Sequence, residues 1–294
     1  MILVIGATGL LGMEVCRALR QRGKEVRALV RSTASQKATE LASQGMELAA
    51  GDLKDPESLA HASRGVSAVI STASSTLSRQ AGDSIETVDR LGQRNAVDAA
   101  RSVGVSRFVF VSIPVEGKFP CPLVAAKREV EQHLIASGIP YTILHANYFM
   151  EVWLSPALGF DYPNHQATVY GSGRSPVSFV SYQDVAKSAV EAVDLAAAEN
   201  RAVEVCGPEP VSQLEAVRIF ERATGREFAL EYVTEESLDE QRNKATDPMG
   251  QTFASLMLDY AAGMVADPAE LLRIVPLQLT TVGDYANHAM AAGR

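Results

Sequence analysis

The chain has 294 residues, a formal net charge of −8 at pH 7 and 47% hydrophobic residues. This length supports a large buried core, and the hydrophobic content excludes extensive disorder. The acidic balance, with no dense Lys/Arg stretch, argues against direct nucleic-acid binding. No apolar run is long enough to span a membrane and no leader pattern precedes the first strand, so we expect a cytoplasmic protein.

The first twelve residues predict a buried strand, a glycine turn and a helix. Gly6 allows the tight turn, Gly9 allows backbone N–H groups to approach a pyrophosphate, and Gly12 allows the helix to pack close to the strand. A helix from about residue 10 to 22 and a strand at 25–30 complete a βαβ unit. The alternative is a turn with incidental glycines. The predicted phosphate-binding loop consists of Gly6, Ala7, Thr8, Gly9, Leu10, Leu11 and Gly12.

The end of the second strand predicts the choice of coenzyme. An acidic residue there would bind an adenosine ribose, whereas this chain has Arg31 followed by Ser32. A guanidinium beside hydroxyls suits a 2′-phosphate, so we expect NADP(H) to be preferred over NAD(H). The alternative is that Arg31 is an ordinary solvated cation.

Strand and helix patterns continue to alternate along the chain. Strands are predicted at 46–50, 68–71, 108–112 and 141–144, and helices at 56–62, 88–103 and 123–137. This alternation predicts an α/β fold with a doubly wound parallel sheet. We expect residues 1–147 and 178–205 to form the dinucleotide-binding domain. Residues 148–177 and 206–294 would form a smaller substrate lobe over the carboxyl ends of the strands.

Two loops after predicted strands are further candidates for coenzyme contacts. Asp52 could accept a hydrogen bond from the adenine amino group while Leu53 packs on the ring, or Asp52 could instead cap the turn before Pro56. The small residues of the other loop, Thr72, Ala73 and Ser74, allow close approach of a ribose or form a plain polar loop.

Cys16, Cys121 and Cys206 are scattered and odd in number, so neither a disulfide framework nor a metal site is predicted.

Several motifs together resemble the NmrA-like branch of the atypical short-chain dehydrogenases/reductases. This branch contains quinone reductases, triphenylmethane reductases and redox-sensing regulators, and it is related to isoflavone reductases. The likeness covers nearly the whole chain. The motifs that carry it are the 6–12 loop, Leu-Val-Arg at 29–31, Gly-Asp-Leu at 51–53, the strand at 108–112, Lys127 with Glu131, the segment 141–151 and Val-Cys-Gly-Pro-Glu at 205–209.

The catalytic residues depart from the superfamily pattern. Four residues before Lys127, where the superfamily usually has a tyrosine acid, the chain has Leu123. The resemblance implies that Lys127 holds the nicotinamide ribose and acts on a substrate oxygen, and that Ser112 polarises the substrate. Alternatively, Lys127 is an exposed helix lysine paired with Glu131, and Ser112 is a turn-former.

His145-Ala146 stands where the family commonly has Arg-Pro. His145 could donate a proton near neutral pH, or it could be a hydrogen-bonded core residue. The aromatic and soft apolar cluster that follows could line a pocket for a flat aromatic substrate or form lobe core. Its members are Tyr148, Phe149, Met150 and Trp153.

The resemblance implies an NADPH-dependent reductase that transfers hydride to a quinone or another conjugated aromatic acceptor. Two alternatives stay open: an NADP(H)-binding redox sensor that acts through a regulatory protein partner, and a reductase that tailors an aromatic natural product. A homodimer is also left open.

Overall fold

The computed structural model describes residues 1–78, 80–114 and 117–292. This part of the chain contains thirteen strands and twelve α-helices. The strands are β1 (Ile2–Ile5), β2 (Val26–Val30), β3 (Glu47–Ala50), β4 (Ala68–Ser71), β5 (Arg107–Ser112), β6 (Tyr141–Ala146), β7 (Tyr148–Phe149), β8 (Phe160–Asp161), β9 (Gln166–Tyr170), β10 (Pro176–Val180), β11 (Arg201–Val205), β12 (Pro210–Ser212) and β13 (Ala229–Val233). The helices are α1 (Leu10–Gln21), α2 (Gln36–Ser43), α3 (Pro56–Ala62), α4 (Gln93–Ser102), α5 (Pro122–Ala136), α6 (Met150–Trp153), α7 (Tyr182–Asp194), α8 (Gln213–Thr224), α9 (Glu235–Lys244), α10 (Pro248–Ala262), α11 (Ala269–Ile274) and α12 (Val282–Ala292).

Seven strands form a central sheet in the order β11-β6-β5-β4-β1-β2-β3, with every pair parallel. Strands β1, β4 and β5 are buried along their whole length, as expected for apolar strands covered on both faces. Helices α1, α2 and α7 pack on one face, and α3, α4 and α5 pack on the other. The predicted doubly wound parallel sheet is therefore confirmed.

The remaining strands form two small sheets, ordered β12-β10-β7 and β13-β9-β8. Helices α8, α10 and α12 pack with these sheets around buried aromatic rings that include Phe179 and Phe220. Because β7 begins two residues after β6 ends, this second core lies next to the carboxyl ends of the central strands.

Most predicted elements are confirmed within one or two residues of their ends. The helix predicted at 88–103 instead begins as a π-helix (Ile85–Gly92) that continues into α4. The sequence analysis missed α2 and missed β11, which pairs with β6 at the sheet edge. The predicted domain limits stay a prediction, although strand pairing places residues 178–180 in a small sheet.

Candidate active site

A cavity of about 1180 Å³ lies where the carboxyl ends of the central strands face the small sheets. The residues that follow β1 to β6 line one wall, and residues of α5, α10 and the 147–158 segment line the other. This edge of a parallel sheet is where such folds bind ligands, because loops and helix amino ends converge there.

The glycine corner has the geometry that the sequence predicts. Gly6 has φ +81°, and a Cβ at this position would lie 2.8 Å from the backbone nitrogen of Ala73. A Cβ at Gly12 would lie 2.0 Å from the carbonyl oxygen of Gly6, so α1 approaches β1 too closely for any side chain there. Gly9 caps α1 without a side-chain hydrogen bond, and no acidic residue occupies the first turn. The amino end of α1 thus presents backbone N–H groups and positive potential to the cavity.

Of the predicted coenzyme-binding residues, all except Ala7 line the cavity. Ala7 is fully buried under the turn. The sequence analysis missed Lys37, which lines the cavity and donates a hydrogen bond to the carbonyl oxygen of Thr8 over 3.0 Å. Lys37 lies on α2, and Ser35 caps the amino end of that helix. A serine in this position is a sequence signal that could have predicted the helix.

Arg31 reaches the cavity at the end of β2 but is already paired. Its Nη1 lies 2.6 Å from Oδ2 of Asp83, whose other oxygen lies 2.5 Å from Nζ of Lys54. Burial opposes ionisation of Asp83, but hydrogen bonds from Lys54, Ser78 and Arg31 prevail and lower its pKa from 3.8 to about 2. This carboxylate is therefore charged at neutral pH and lies beside the predicted 2′-phosphate site.

Lys127 is buried at the centre of the cavity wall, with 3% exposure. Its Nζ lies 3.6 Å from Oδ1 of Asp89, 3.5 Å from the carbonyl oxygen of Ala73 and 5.0 Å from the centre of the Phe110 ring. Burial lowers the pKa of Lys127, and the Asp89 carboxylate opposes that effect. The alternative of an exposed lysine paired with Glu131 is wrong, because the partner is the fully buried Asp89 of the π-helix.

Leu123 lies one turn before Lys127 and lines the cavity with an apolar side chain. The superfamily's tyrosine acid therefore has no equivalent at this position.

Ser112 lines the cavity at the end of β5, but its hydroxyl donates a hydrogen bond to Oε1 of Glu131 over 2.5 Å. Glu131 also pairs with Arg128, and its Oε1 lies 3.3 Å from Nε2 of His145. Burial raises the pKa of Glu131, but hydrogen bonds from His145, Ser112 and Arg128 outweigh it and lower that pKa overall.

His145 belongs to this buried network and is not among the residues that line the cavity. Arg128 Nη1 lies 3.0 Å from Nε2 of His145, and the Arg128 Nη2 donates to the carbonyl oxygens of Ile113 and Pro114. Burial lowers the pKa of His145, but hydrogen bonds with Glu131 and Glu204 outweigh it and raise that pKa overall. Arg128 thus brings a cation next to His145 at the carboxyl end of β6. The catalytic roles of Ser112 and His145 stay predictions.

The predicted substrate cluster divides between the cavity and the core. Tyr148, Phe149 and Trp153 line the cavity, whereas Met150 is 1% exposed and packs inside the lobe. The Tyr148 and Trp153 rings meet edge to face with centroids 4.7 Å apart. The Tyr148 hydroxyl is buried and has no hydrogen-bond partner among the residues that the structure describes.

The sequence analysis also missed the wall that α10 contributes. Phe253, Leu256, Met257 and Asp259 of this helix line the cavity. Asp259 Oδ1 accepts hydrogen bonds from the backbone N–H groups of Lys118 and Phe119, over 2.6 and 3.2 Å. These contacts join positions about 140 residues apart, and no local sequence pattern reports them.

None of the helices in residues 1–78, 80–114 and 117–292 combines the length and the hydropathy of a membrane span. No three His, Cys, Asp or Glu side chains of the described residues are grouped so that they would hold a metal ion.

The model of the NmrA-like family matches residues 1–284. The photosystem II assembly factor Ycf39 of Synechocystis sp. is 32% identical over 79% of this chain and 70% of its own length. An NAD(P)H azoreductase of Xenophilus azovorans is 30% identical over 90% of each chain. The crystal structure of an NADPH-dependent quinone oxidoreductase of Escherichia coli with NADPH superposes with a TM-score of 0.80, at 23% identity over 99% of this chain and 100% of that one. At this identity the superposition shows a shared fold.

Proposed function

Because this chain belongs to the NmrA-like family, we propose that it is an NADPH-dependent reductase that transfers hydride to a quinone or another conjugated aromatic acceptor. The single observation that carries this proposal is the continuous cavity that joins the glycine corner and Lys127 to an aromatic wall. The relatives named as azoreductase and quinone oxidoreductase support the same class of acceptor.

The residues present fit a dinucleotide along this cavity. The turn at Gly6 and Gly12 leaves no room for side chains. The amino end of α1 has no side-chain cap, so its backbone N–H groups can bind a pyrophosphate. Arg31 and Lys37 place two cations at the adenosine end. Lys127 would hold the nicotinamide ribose hydroxyls. When bound, the coenzyme supplies hydride from the nicotinamide ring.

The missing tyrosine favours an acceptor that needs no strong acid from the protein. Reduction of a quinone gives a stabilised phenolate that water can protonate, whereas reduction of a simple ketone gives a basic alkoxide. Leu123, Trp153 and Phe253 would hold a flat ring and exclude water beside the nicotinamide. The neutral hydroxyl of Tyr148 would donate a hydrogen bond to an acceptor oxygen, because burial raises its pKa well above 10.

A steady-state assay with NADPH and a panel of quinones and azo dyes tests this function. We expect turnover with the wild-type protein and with Lys187→Ala, which removes an exposed lysine of α7, and at least tenfold slower turnover with Lys127→Met. Calorimetric titration with NADPH and NADH in parallel reports coenzyme binding. Absence of binding by either coenzyme would refute the proposal.

A second function follows from the same binding site. Two observations support an NADP(H)-binding protein that acts through a protein partner. Leu123 replaces the usual tyrosine acid, and one relative is named as an assembly factor. Tight coenzyme binding without turnover on any member of the panel would favour this function over the reductase.

A further inference from the structure

The adenosine end of the cavity carries a fixed negative charge beside its phosphate-binding cation. Asp83 lies in the connection between β4 and the π-helix, and its side chain is only 3% exposed. It pairs with Arg31 over 2.6 Å. This contact engages Nη1 of Arg31, so an incoming anion must share the guanidinium with Asp83 or displace it.

Arg31 can leave Asp83 without leaving that carboxylate unpaired. Oδ1 keeps Lys54 at 2.5 Å, and Oδ2 keeps the Ser78 hydroxyl. The Arg31 side chain is 42% exposed and lines the cavity, so an incoming anion can reach it. The exchange of one anion for another at Arg31 therefore leaves Asp83 paired with a cation and a hydroxyl, which limits the cost of the exchange on the protein side.

We propose that Asp83 competes with the 2′-phosphate of the coenzyme for Arg31 and thereby limits the preference for NADPH over NADH. This inference rests on the proposed function, because it requires NADPH to bind in this cavity. The 2′-phosphate is the one group that distinguishes the two coenzymes. A phosphate held by Arg31 lies within one Debye length of the Asp83 carboxylate, so the two anions repel each other even after the guanidinium has turned.

Asp83→Asn tests the proposal, because the amide keeps the size of the side chain and an oxygen that accepts from Ser78 or Lys54. We expect NADPH to bind about three to ten times more tightly to this variant and NADH to change by less than about twofold. The fragments 2′,5′-ADP and 5′-AMP should show the same difference, since they carry only the adenosine end.

Two controls separate competition from a general effect of charge. Glu57→Gln removes one negative charge from an exposed position in the first turn of α3, outside the cavity lining, and should leave the NADPH to NADH ratio unchanged. In an Arg31→Ala background, Asp83→Asn should raise the affinity for NADPH by less than about twofold, because the cation for which the two anions compete is absent. Asp83→Ser provides a second neutral variant if the asparagine variant does not fold.

The outcomes distinguish this inference from the function on which it rests. If neither coenzyme binds the wild-type protein or the variants, the proposed function fails and this inference fails with it. If both coenzymes bind but neutralising Asp83 weakens NADPH, Asp83 positions Arg31 for the phosphate and the competition is refuted. An equal gain for NADPH and NADH, or an equal gain in the Glu57→Gln control, refutes it as well.

Discussion

Lys127 and Asp89 form a buried ion pair, with Nζ 3.6 Å from Oδ1 and neither side chain more than 4% exposed. Asp89 is held in turn by the backbone N–H and the hydroxyl of Ser75. The pair connects α5 to the π-helix next to Ala73, whose carbonyl oxygen lies 3.5 Å from the same Nζ. A π-helical turn at this site is consistent with a functional constraint, because such turns are rare and cluster at functional sites.

Removal of one member of this pair should destabilise the protein strongly. Lys127→Met leaves the Asp89 carboxylate buried without a counter-ion, and we expect the free energy of unfolding to fall by about 3–5 kcal/mol. The double variant Lys127→Met with Asp89→Asn should recover most of that loss but none of the turnover, as measured by denaturant unfolding and NADPH oxidation. Recovery of turnover in the double variant would show that Lys127 has only a structural role.

Two substitutions in the glycine corner should separate its role in helix packing from its role in coenzyme binding. Gly12→Ala forces a methyl group against the Gly6 carbonyl oxygen, so we expect a loss of about 1–3 kcal/mol of stability or more. Gly9→Ala meets the same oxygen only at 3.1 Å and should cost about 1 kcal/mol or less, while weakening NADPH binding at least tenfold. Thermal unfolding and coenzyme titration check the two effects. A Gly9→Ala variant with unchanged affinity would place the pyrophosphate elsewhere.

Arg31 should determine the preference between coenzymes. We expect Arg31→Ala to weaken NADPH binding about tenfold or more and to change NADH binding by less than about twofold, because a charge-assisted phosphate contact is lost. Arg101→Ala, on the exposed face of α4, is the matched control. Parallel titrations with both coenzymes measure the ratio, and an unaltered ratio in Arg31→Ala would contradict the assignment.

The His145 network should make stability depend on pH. The pKa of His145 is raised in the folded protein, where Glu131, Glu204 and Arg128 face its ring. A raised pKa contributes stability that is complete below the unfolded value of about 6.5 and is lost as the pH rises through the folded value. The free energy of unfolding should therefore fall more steeply as the pH rises above about 6.5 in the wild-type protein than in His145→Gln. Parallel curves for the two proteins would mean that His145 does not titrate in this range.

The buried hydroxyl of Tyr148, which has no hydrogen-bond partner among the described residues, should contribute to substrate binding and not to stability. Tyr148→Phe removes no hydrogen bond, so we expect stability to stay within about 1 kcal/mol of wild type or to rise. If the hydroxyl donates to an oxygen of the acceptor, KM for a quinone should rise about tenfold with a smaller change in kcat. Tyr285→Phe, in the lobe core outside the cavity lining, should leave KM unchanged. An unchanged KM in Tyr148→Phe would remove this residue from substrate binding.

Local patterns were sufficient to predict most elements in the first half of the fold, with α2 as the exception. Buried strands such as β1 and the glycine turn after it depend on interactions within a few residues, so composition and spacing report them directly. The NmrA-like resemblance extended that prediction to the family, and the family match over residues 1–284 confirms it. The same locality explains why β11 was missed, since it becomes a strand by pairing with the distant β6.

Apart from the residues that the resemblance supplied, the predictable part of the candidate site consisted mainly of residues that closely follow a strand. The positions after β1 to β6 meet at one edge of a parallel sheet, so Arg31, Asp52 and Thr72 could be placed from the sequence. The partners of those residues could not, because Asp83 is 52 positions from Arg31 and Asp89 is 38 positions before Lys127. Helical spacing suggested the alternative in which Lys127 pairs with Glu131, but in the structure Glu131 is held by Arg128 and Ser112.

The order of strands and helices and the shape of the glycine corner were determined by the sequence itself, because hydrophobic period and backbone sterics act between neighbours in the chain. Only the tertiary structure decided which side chains face the cavity and which charges oppose each other. Tertiary contacts pair Asp89 with Lys127 and Asp83 with Arg31 across long separations, and these carboxylates control how each cation can act.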